Sequence, residues 1–114
     1  MDENKDKMYL EHILVAIKDA EYFLKKRDKA FFETDKELQY ALIKIFEIIG
    51  EAANKISPEL SNRYKDVNWR EAISMRHVLV HDYFRVDLDL VWITTKNNLP
   101  ILKSQIEKIL KELS

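Results

Sequence analysis

The 114-residue chain has no cysteine, one glycine, two prolines and three histidines. Without cysteine it can form neither disulfides nor thiolate metal sites, and nothing in it argues for an oxidising compartment. One Gly and two Pro leave little material for the turns of an all-β fold. No apolar run approaches the length needed to span a bilayer, so no membrane association is expected. The first residues, Met1-Asp2-Glu3-Asn4-Lys5, are polar and acidic, unlike a signal peptide, and the cytoplasm is the expected location. A net charge of -1 argues against a general nucleic-acid binder, which would be strongly basic.

What remains suits one helical domain over residues 1–114. Hydrophobic content is 46% and charged content 34%, enough for a core of its own. Residues 7 to 27 repeat Leu10, Ile13, Leu14, Ile17, Ala20 and Leu24 at a helical period. His12 lies in this helix and reads as a surface or core-edge residue. Thr34-Asp35-Lys36-Glu37 has the form of a capping box with Thr34 as N-cap. The helix it opens carries Leu38, Ala41, Leu42, Ile45, Ile48, Ile49, Ala52 and Ile56 on one face. Gly50 lies inside that helix, where it costs ~1 kcal/mol relative to Ala. A close helix crossing accounts for it better than a break does. Glu51 beside it reads as a surface residue, with the Arg-rich region as its other possible neighbour.

Ser57-Pro58 starts a short helix, Ser as N-cap and Pro at N1, expected to end near Tyr64. Asn68 caps the next helix, with Glu71 at N3 and a run to about Asp82 or Tyr83. The last helical region starts near Asp87. Leu88, Trp92, Thr95, Leu99, Leu102, Ile106, Ile109 and Leu113 keep a three-and-four spacing across Pro100, which predicts a kink or break around Asn97-Asn98. The expected fold is all-α, an antiparallel four- to five-helix bundle with its last helix kinked or broken near Pro100.

Chemistry concentrates in residues 76 to 83, Arg76-His77-Val78-Leu79-Val80-His81-Asp82-Tyr83. On an α-helix, ~100° per residue puts Tyr83 almost above Arg76 and His81 ~140° round from it. Trp69, Ala72 and Ile73 occupy the stripe that Arg76 and Tyr83 continue. Arginine is rarely buried unpaired, because its charge cannot be removed by deprotonation, so Arg76 should face a partner, a cleft or a subunit interface. Four of the five arginines (Arg63, Arg70, Arg76, Arg85) lie between 63 and 85. Solvated surface with ordinary ion pairs to Asp66, Glu71 and Asp82 is the plain reading for the others.

The pattern Arg76-x-x-x-x-His81-x-Tyr83 resembles the HEPN domains, small helical proteins, and in this fuller form the HepT toxins encoded beside a minimal nucleotidyltransferase. The resemblance extends to Ile49-Gly50-Glu51-Ala52-Ala53, to Asp87-Leu88-Asp89-Leu90-Val91-Trp92 and to Leu99-Pro100. The position after the arginine, often Asn in the family, is His77 here. The resemblance implies a homodimer with a composite site. It also implies that the motif tyrosine, Tyr83, accepts AMP from a cognate nucleotidyltransferase antitoxin.

Cutting RNA without metal needs a base for the 2′-hydroxyl, an acid for the 5′-oxygen and positive charge on the phosphorane. Histidine supplies either proton role near neutral pH, and arginine holds two phosphate oxygens in one plane. One Arg and one His are a thin set, and a two-fold dimer would bring two of each into one cleft. The expectation is therefore a toxin acting as a metal-independent endoribonuclease on RNA, without cofactor. Arg76 and His81 would be catalytic, His77 and Asp82 supporting, and Tyr83 AMPylated. Three other readings stand beside it. His77 and His81, at i and i+4, have the spacing of a zinc pair, but no third ligand is evident. Arg76 could pair with a buried acid such as Glu51, with His81 satisfied in the interior. Or the chain could be a non-catalytic binding module that presents substrate to a nucleotidyltransferase.

Overall fold

The structure, a computed structural model, describes residues 3–77 and 87–114. His81, Asp82, Tyr83 and Arg85 lie outside the described residues. Within them the chain is all-α, as the periodicity predicts.

Helix α1 (Glu3–Leu24) packs on α3 (Lys36–Asn54), and the pair forms the centre of the bundle. Leu10, Ile13, Ile17 and Ala20 from the first and Leu42, Phe46 and Ile49 from the second are almost fully buried. Each large side chain so buried contributes about 1.5–3 kcal/mol from apolar area alone. The two helices are antiparallel. Asp6, in the first turns of α1, accepts from the Ser57 backbone N–H at 2.9 Å and from its Oγ at 2.5 Å, just beyond the end of α3. Both residues are buried, so this is a closed polar clamp inside the apolar core.

Helix α1 ends at Leu24 and not at 27. Lys26 takes a φ of 62°, and Arg27 N–H returns to the Leu24 carbonyl at 2.9 Å, a left-handed closure that stops the helix. A short α2 (Lys29–Thr34) follows, capped by Asp28 through Phe31 N–H. It exists to place Phe32, fully buried, whose ring lies 5.5 Å from that of Trp92. This displaces the expected capping box by one residue. Thr34 closes α2, donating its hydroxyl to the Phe31 carbonyl, and Asp35 caps α3 through Leu38 N–H at 3.0 Å. Gln39 donates to the carbonyls of Phe32 and Glu33, so the first turn of α3 satisfies the end of α2.

Helix α4 (Pro58–Arg63) starts at Ser57 and gives way at Tyr64, as expected. Helix α5 (Trp69–Ser74) starts at Asn68, which accepts from Glu71 N–H at 3.0 Å. The last region starts at Asp87 with α6 (Leu88–Ile93) and ends in α7 (Leu99–Leu113). Between them Thr94–Asn98 form one π-helical turn, closed by the Leu99 N–H on the Thr94 carbonyl. The break expected near Pro100 takes this form. Pro100 has no N–H and its ring would strike the carbonyl four residues back in an α-helix, and the wider turn relieves both. Helix α7 lies against α1, with Lys103 Nζ on Glu21 at 3.0 Å, while α5 and α6 lie against α3.

Ile48 departs from expectation. Placed on the buried face of α3 by its spacing, it is 38% exposed, because the α1–α3 contact opens into a cavity at that level.

Candidate active site

The motif helix was expected to continue to Asp82 or Tyr83, but α5 keeps α-helical form only to Ser74. Ser74 Oγ donates to the Glu71 carbonyl at 2.7 Å, the oxygen that Met75 N–H would use in an α-helix. Met75, Arg76 and His77 instead close tighter turns onto the carbonyls of Ala72, Ile73 and Ser74. Arg76 therefore sits on a tightened turn at the end of α5. The ~100° step of an α-helix therefore does not carry on through Met75, Arg76 and His77, and the placing of His81 and Tyr83 by that step lies outside the described residues.

That turn is pressed against α3. A Cβ added to Gly50 would lie 2.6 Å from both the Cβ and the backbone nitrogen of Arg76, and 3.0 Å from its Cα. The close crossing inferred for the lone glycine is thus with the motif arginine itself. No residue but glycine leaves room for the Arg76 backbone there. Below it, Ala72 and Met75 are buried, and Trp69 donates its indole N–H to the Tyr64 carbonyl at 3.0 Å. The base of the arginine is fixed by packing.

Its head is not buried. The Arg76 side chain is 25% exposed, and its Nη1 meets Glu51 Oε1 at 3.4 Å, with Glu51 58% exposed. The acid named by sequence as a partner is the right one, but it stands at the surface and not in the interior. Arg76 Nε also donates to His77 Nε2 at 3.3 Å. A guanidinium held this way at its stem, with an exposed carboxylate at its head, can exchange one oxyanion for another. The planar donors that meet a carboxylate meet a phosphate equally well. At this exposure the ion pair itself contributes only about 0–1 kcal/mol to stability, so its displacement by a substrate is cheap.

Around the turn, Glu71 Oε1 accepts from Asn98 Nδ2 at 2.7 Å, tying α5 to the π-helical turn. A hollow of about 260 Å³ opens beside Ser74 and Met75, walled by Leu90, Ile93 and Thr94 of the last helical region. Arg63 and Arg70 are exposed. Among the described residues no three His, Asp or Glu side chains stand together as a metal site. Sequence spacing ranked Glu51 as plain surface. The signal that could have promoted it was its place beside the only glycine, since a glycine crossing brings its neighbours within reach of the other helix.

Residues 13–109 match the family described as Ribonuclease HepT-like. The chain belongs to that family. It is similar to a gamma-glutamylcyclotransferase and putative RNase of Methanocaldococcus jannaschii, 42% identical over 107 residues. That match takes in 94% of the chain but 48% of the relative, so the chain spans about half of that protein. A putative RNase of the same organism is 37% identical over 113 residues, 99% of this chain and 97% of the relative. A probable ribonuclease HepT of Thermococcus cleftensis is 40% identical, covering 92% of this chain and 96% of its own length. No solved structure matches the chain. Membership in the HepT-like family supports ribonuclease activity as the class of reaction, and the all-α bundle agrees with it. Among the described residues no helix is long and apolar enough to cross a membrane.

Proposed function

We propose that this HepT-like chain is the toxin of a toxin–antitoxin pair, a cytoplasmic homodimer that cuts RNA without metal. The observation that carries the reading is Arg76, its backbone locked against Gly50 and its guanidinium offered at the surface to an exposed carboxylate. In the reaction Arg76 exchanges Glu51 for the scissile phosphate and neutralises the charge that builds on the phosphorane. One His81 takes the proton of the 2′-hydroxyl as its oxygen attacks phosphorus. The other, from the second subunit, gives a proton to the departing 5′-oxygen. The products are a 2′,3′-cyclic phosphate and a 5′-hydroxyl. His77, within reach of the Arg76 guanidinium, and Asp82 support the charged groups.

The homodimer is supported by an exposed apolar stripe beside the motif turn. Leu90, Ile93 and Ile101 are 42%, 50% and 62% exposed. They border the hollows next to Ser74 and Met75, where a second copy would bring its own Arg76 near the first.

Silencing follows from the same site. A nucleotidyltransferase antitoxin would direct the Tyr83 hydroxyl onto the α-phosphate of ATP, releasing pyrophosphate and the phenolic proton. The AMP left on Tyr83, seven residues along from Arg76, would carry a permanent phosphate to donors meant for RNA and fill the cleft with a nucleoside.

The test is His81→Ala with Tyr83→Phe. His81→Ala should abolish RNA cleavage while circular dichroism and thermal midpoint stay close to wild type, and wild-type cleavage should persist in EDTA. Tyr83→Phe should gain no AMP by intact mass and remain toxic beside the antitoxin. RNA bound but never cut by the wild type would leave a binding module in place of the enzyme.

A further inference from the structure

Glu51, the carboxylate that holds the Arg76 head, is also one wall of a second cavity, of about 260 Å³, between α1 and α3. Its floor is apolar and aromatic: Ile48, 38% exposed, and the half-buried ring of Tyr9. His12 stands edge-on to that ring, centroids 6.0 Å apart and planes at 82°. The Lys55 ammonium lies 5.7 Å above the centre of the Tyr9 ring. Lys44 closes the far side, 3.6 Å from Glu47.

We infer that this cavity is a nucleotide subsite, taking one unpaired base of the RNA strand next to the phosphate held by Arg76. The inference rests on the ribonuclease reading and extends it to how substrate is positioned. A cation over an aromatic ring marks a face that favours a flat, polarisable guest. A base entering there stacks on Tyr9 in place of the Lys55 ammonium, whose flexible stem lets it move out to the neighbouring phosphate. His12, edge-on beside the ring, meets the rim of the base with a ring nitrogen able to donate or accept. Glu51 links the two places. When the scissile phosphate takes Arg76, the carboxylate is released toward the cavity and can accept from an exocyclic amine or a ribose hydroxyl. Bases in a duplex are stacked on one another and cannot enter, so the site selects single-stranded RNA.

This use of the α1–α3 face also accounts for Ile48, an apolar residue at a core register that the fold leaves uncovered. It gives the first helix a part in substrate binding although the motif lies far from it in sequence.

The experiment follows the His12 ring resonances by NMR, assigned with His12→Gln, during titration with a 2′-deoxy single-stranded oligonucleotide that cannot be cut. Steady-state cleavage of the matching RNA is measured alongside. The His12 signals should shift with the single strand and stay in place with a duplex. Tyr9→Ala should raise KM about 5- to 100-fold, the range expected from one base–aromatic stack, and Lys55→Glu should raise it at least a few-fold through the lost phosphate contact. Their kcat should stay within about twofold of wild type, since neither touches the reacting atoms. Lys55 is exposed, so Lys55→Glu and the His12 shift decide the matter if Tyr9→Ala fails to fold. Unchanged KM with unmoved His12 signals overturns the subsite while leaving the ribonuclease standing. Equal shifts with the duplex also overturn it. A His12 shift in a wild type that cuts no RNA retains the subsite and defeats the ribonuclease.

Discussion

Replacing Gly50 with alanine separates the stability of the fold from the placement of its arginine. Two effects oppose each other. Alanine in a helix interior is favoured over glycine by about 1 kcal/mol. Against that, the new methyl would meet the Arg76 Cβ and backbone nitrogen at 2.6 Å, where carbon contacts ordinarily lie near 3.5–4.0 Å. The atoms in the way are backbone and Cβ, which cannot swing aside as the end of a long side chain can. The turn at Met75–His77 must therefore move out from α3 by about 1 Å, at an overpacking cost of about 1–3 kcal/mol. The net loss is about 0–2 kcal/mol, which moves the melting temperature down by less than about 10 °C for a domain of this size. Activity should suffer far more, because a misplacement of about 1 Å in a positioning group can cost on the order of a hundredfold in rate. The assay is kcat/KM on a single-stranded RNA beside a thermal melt. Ala41→Gly serves as control: it lies on the same helix, away from Arg76, and costs about 1 kcal/mol with activity kept. A Gly50→Ala protein that melts higher than wild type and cuts RNA at the wild-type rate would refute the claim that α3 seats the motif arginine through its glycine.

Other perturbations test separate parts. Glu51→Gln removes the charge that competes for Arg76 while its amide oxygen can still accept from a base or ribose, and should lower KM for RNA a few-fold, with thermal stability changed by less than about 1 kcal/mol because the pair is exposed; a higher KM would mean that the Glu51 carboxylate does not compete with RNA for Arg76. Asp6→Ala strips the partner from a buried N–H and a buried hydroxyl of Ser57 and should cost about 2–5 kcal/mol in urea denaturation, with Asp6→Asn costing less. Ile93→Glu puts a charge on the exposed stripe proposed as the dimer contact, and light scattering should show monomers with correspondingly little cleavage; an unchanged dimer would place the contact elsewhere.

The sequence alone determined the long helices and most of the core. Leu10, Ile13, Ile17, Leu42, Ile49, Leu102 and Ile106 recur at helical spacing and are buried as that spacing requires, because one apolar stripe per helix has only the interior to go to. Caps written in local chemistry, at Ser57 and Asn68, were legible for the same reason, since a cap bonds to a backbone N–H three residues away. The break before Pro100 was legible from the missing N–H, though its form as a π-helical turn was settled by keeping Thr95, Leu99 and Leu102 in the core on both sides. Where local signals compete, tertiary contact chose. Thr34 and Asp35 both make good N-caps, and burial of Phe32 in a short preceding helix gave the role to Asp35. The end of α5 at Ser74 depended on a hydroxyl taking a carbonyl and on the approach of α3. In the candidate site, the motif named Arg76 and the lone glycine named a close crossing, but nothing in the spacing joined them. That Gly50 meets Arg76 across 26 residues of chain, and that Glu51 reaches its head from the same helix, is a property of two helices laid side by side. Local pattern acts through neighbours in sequence, and an active site is made of neighbours in space.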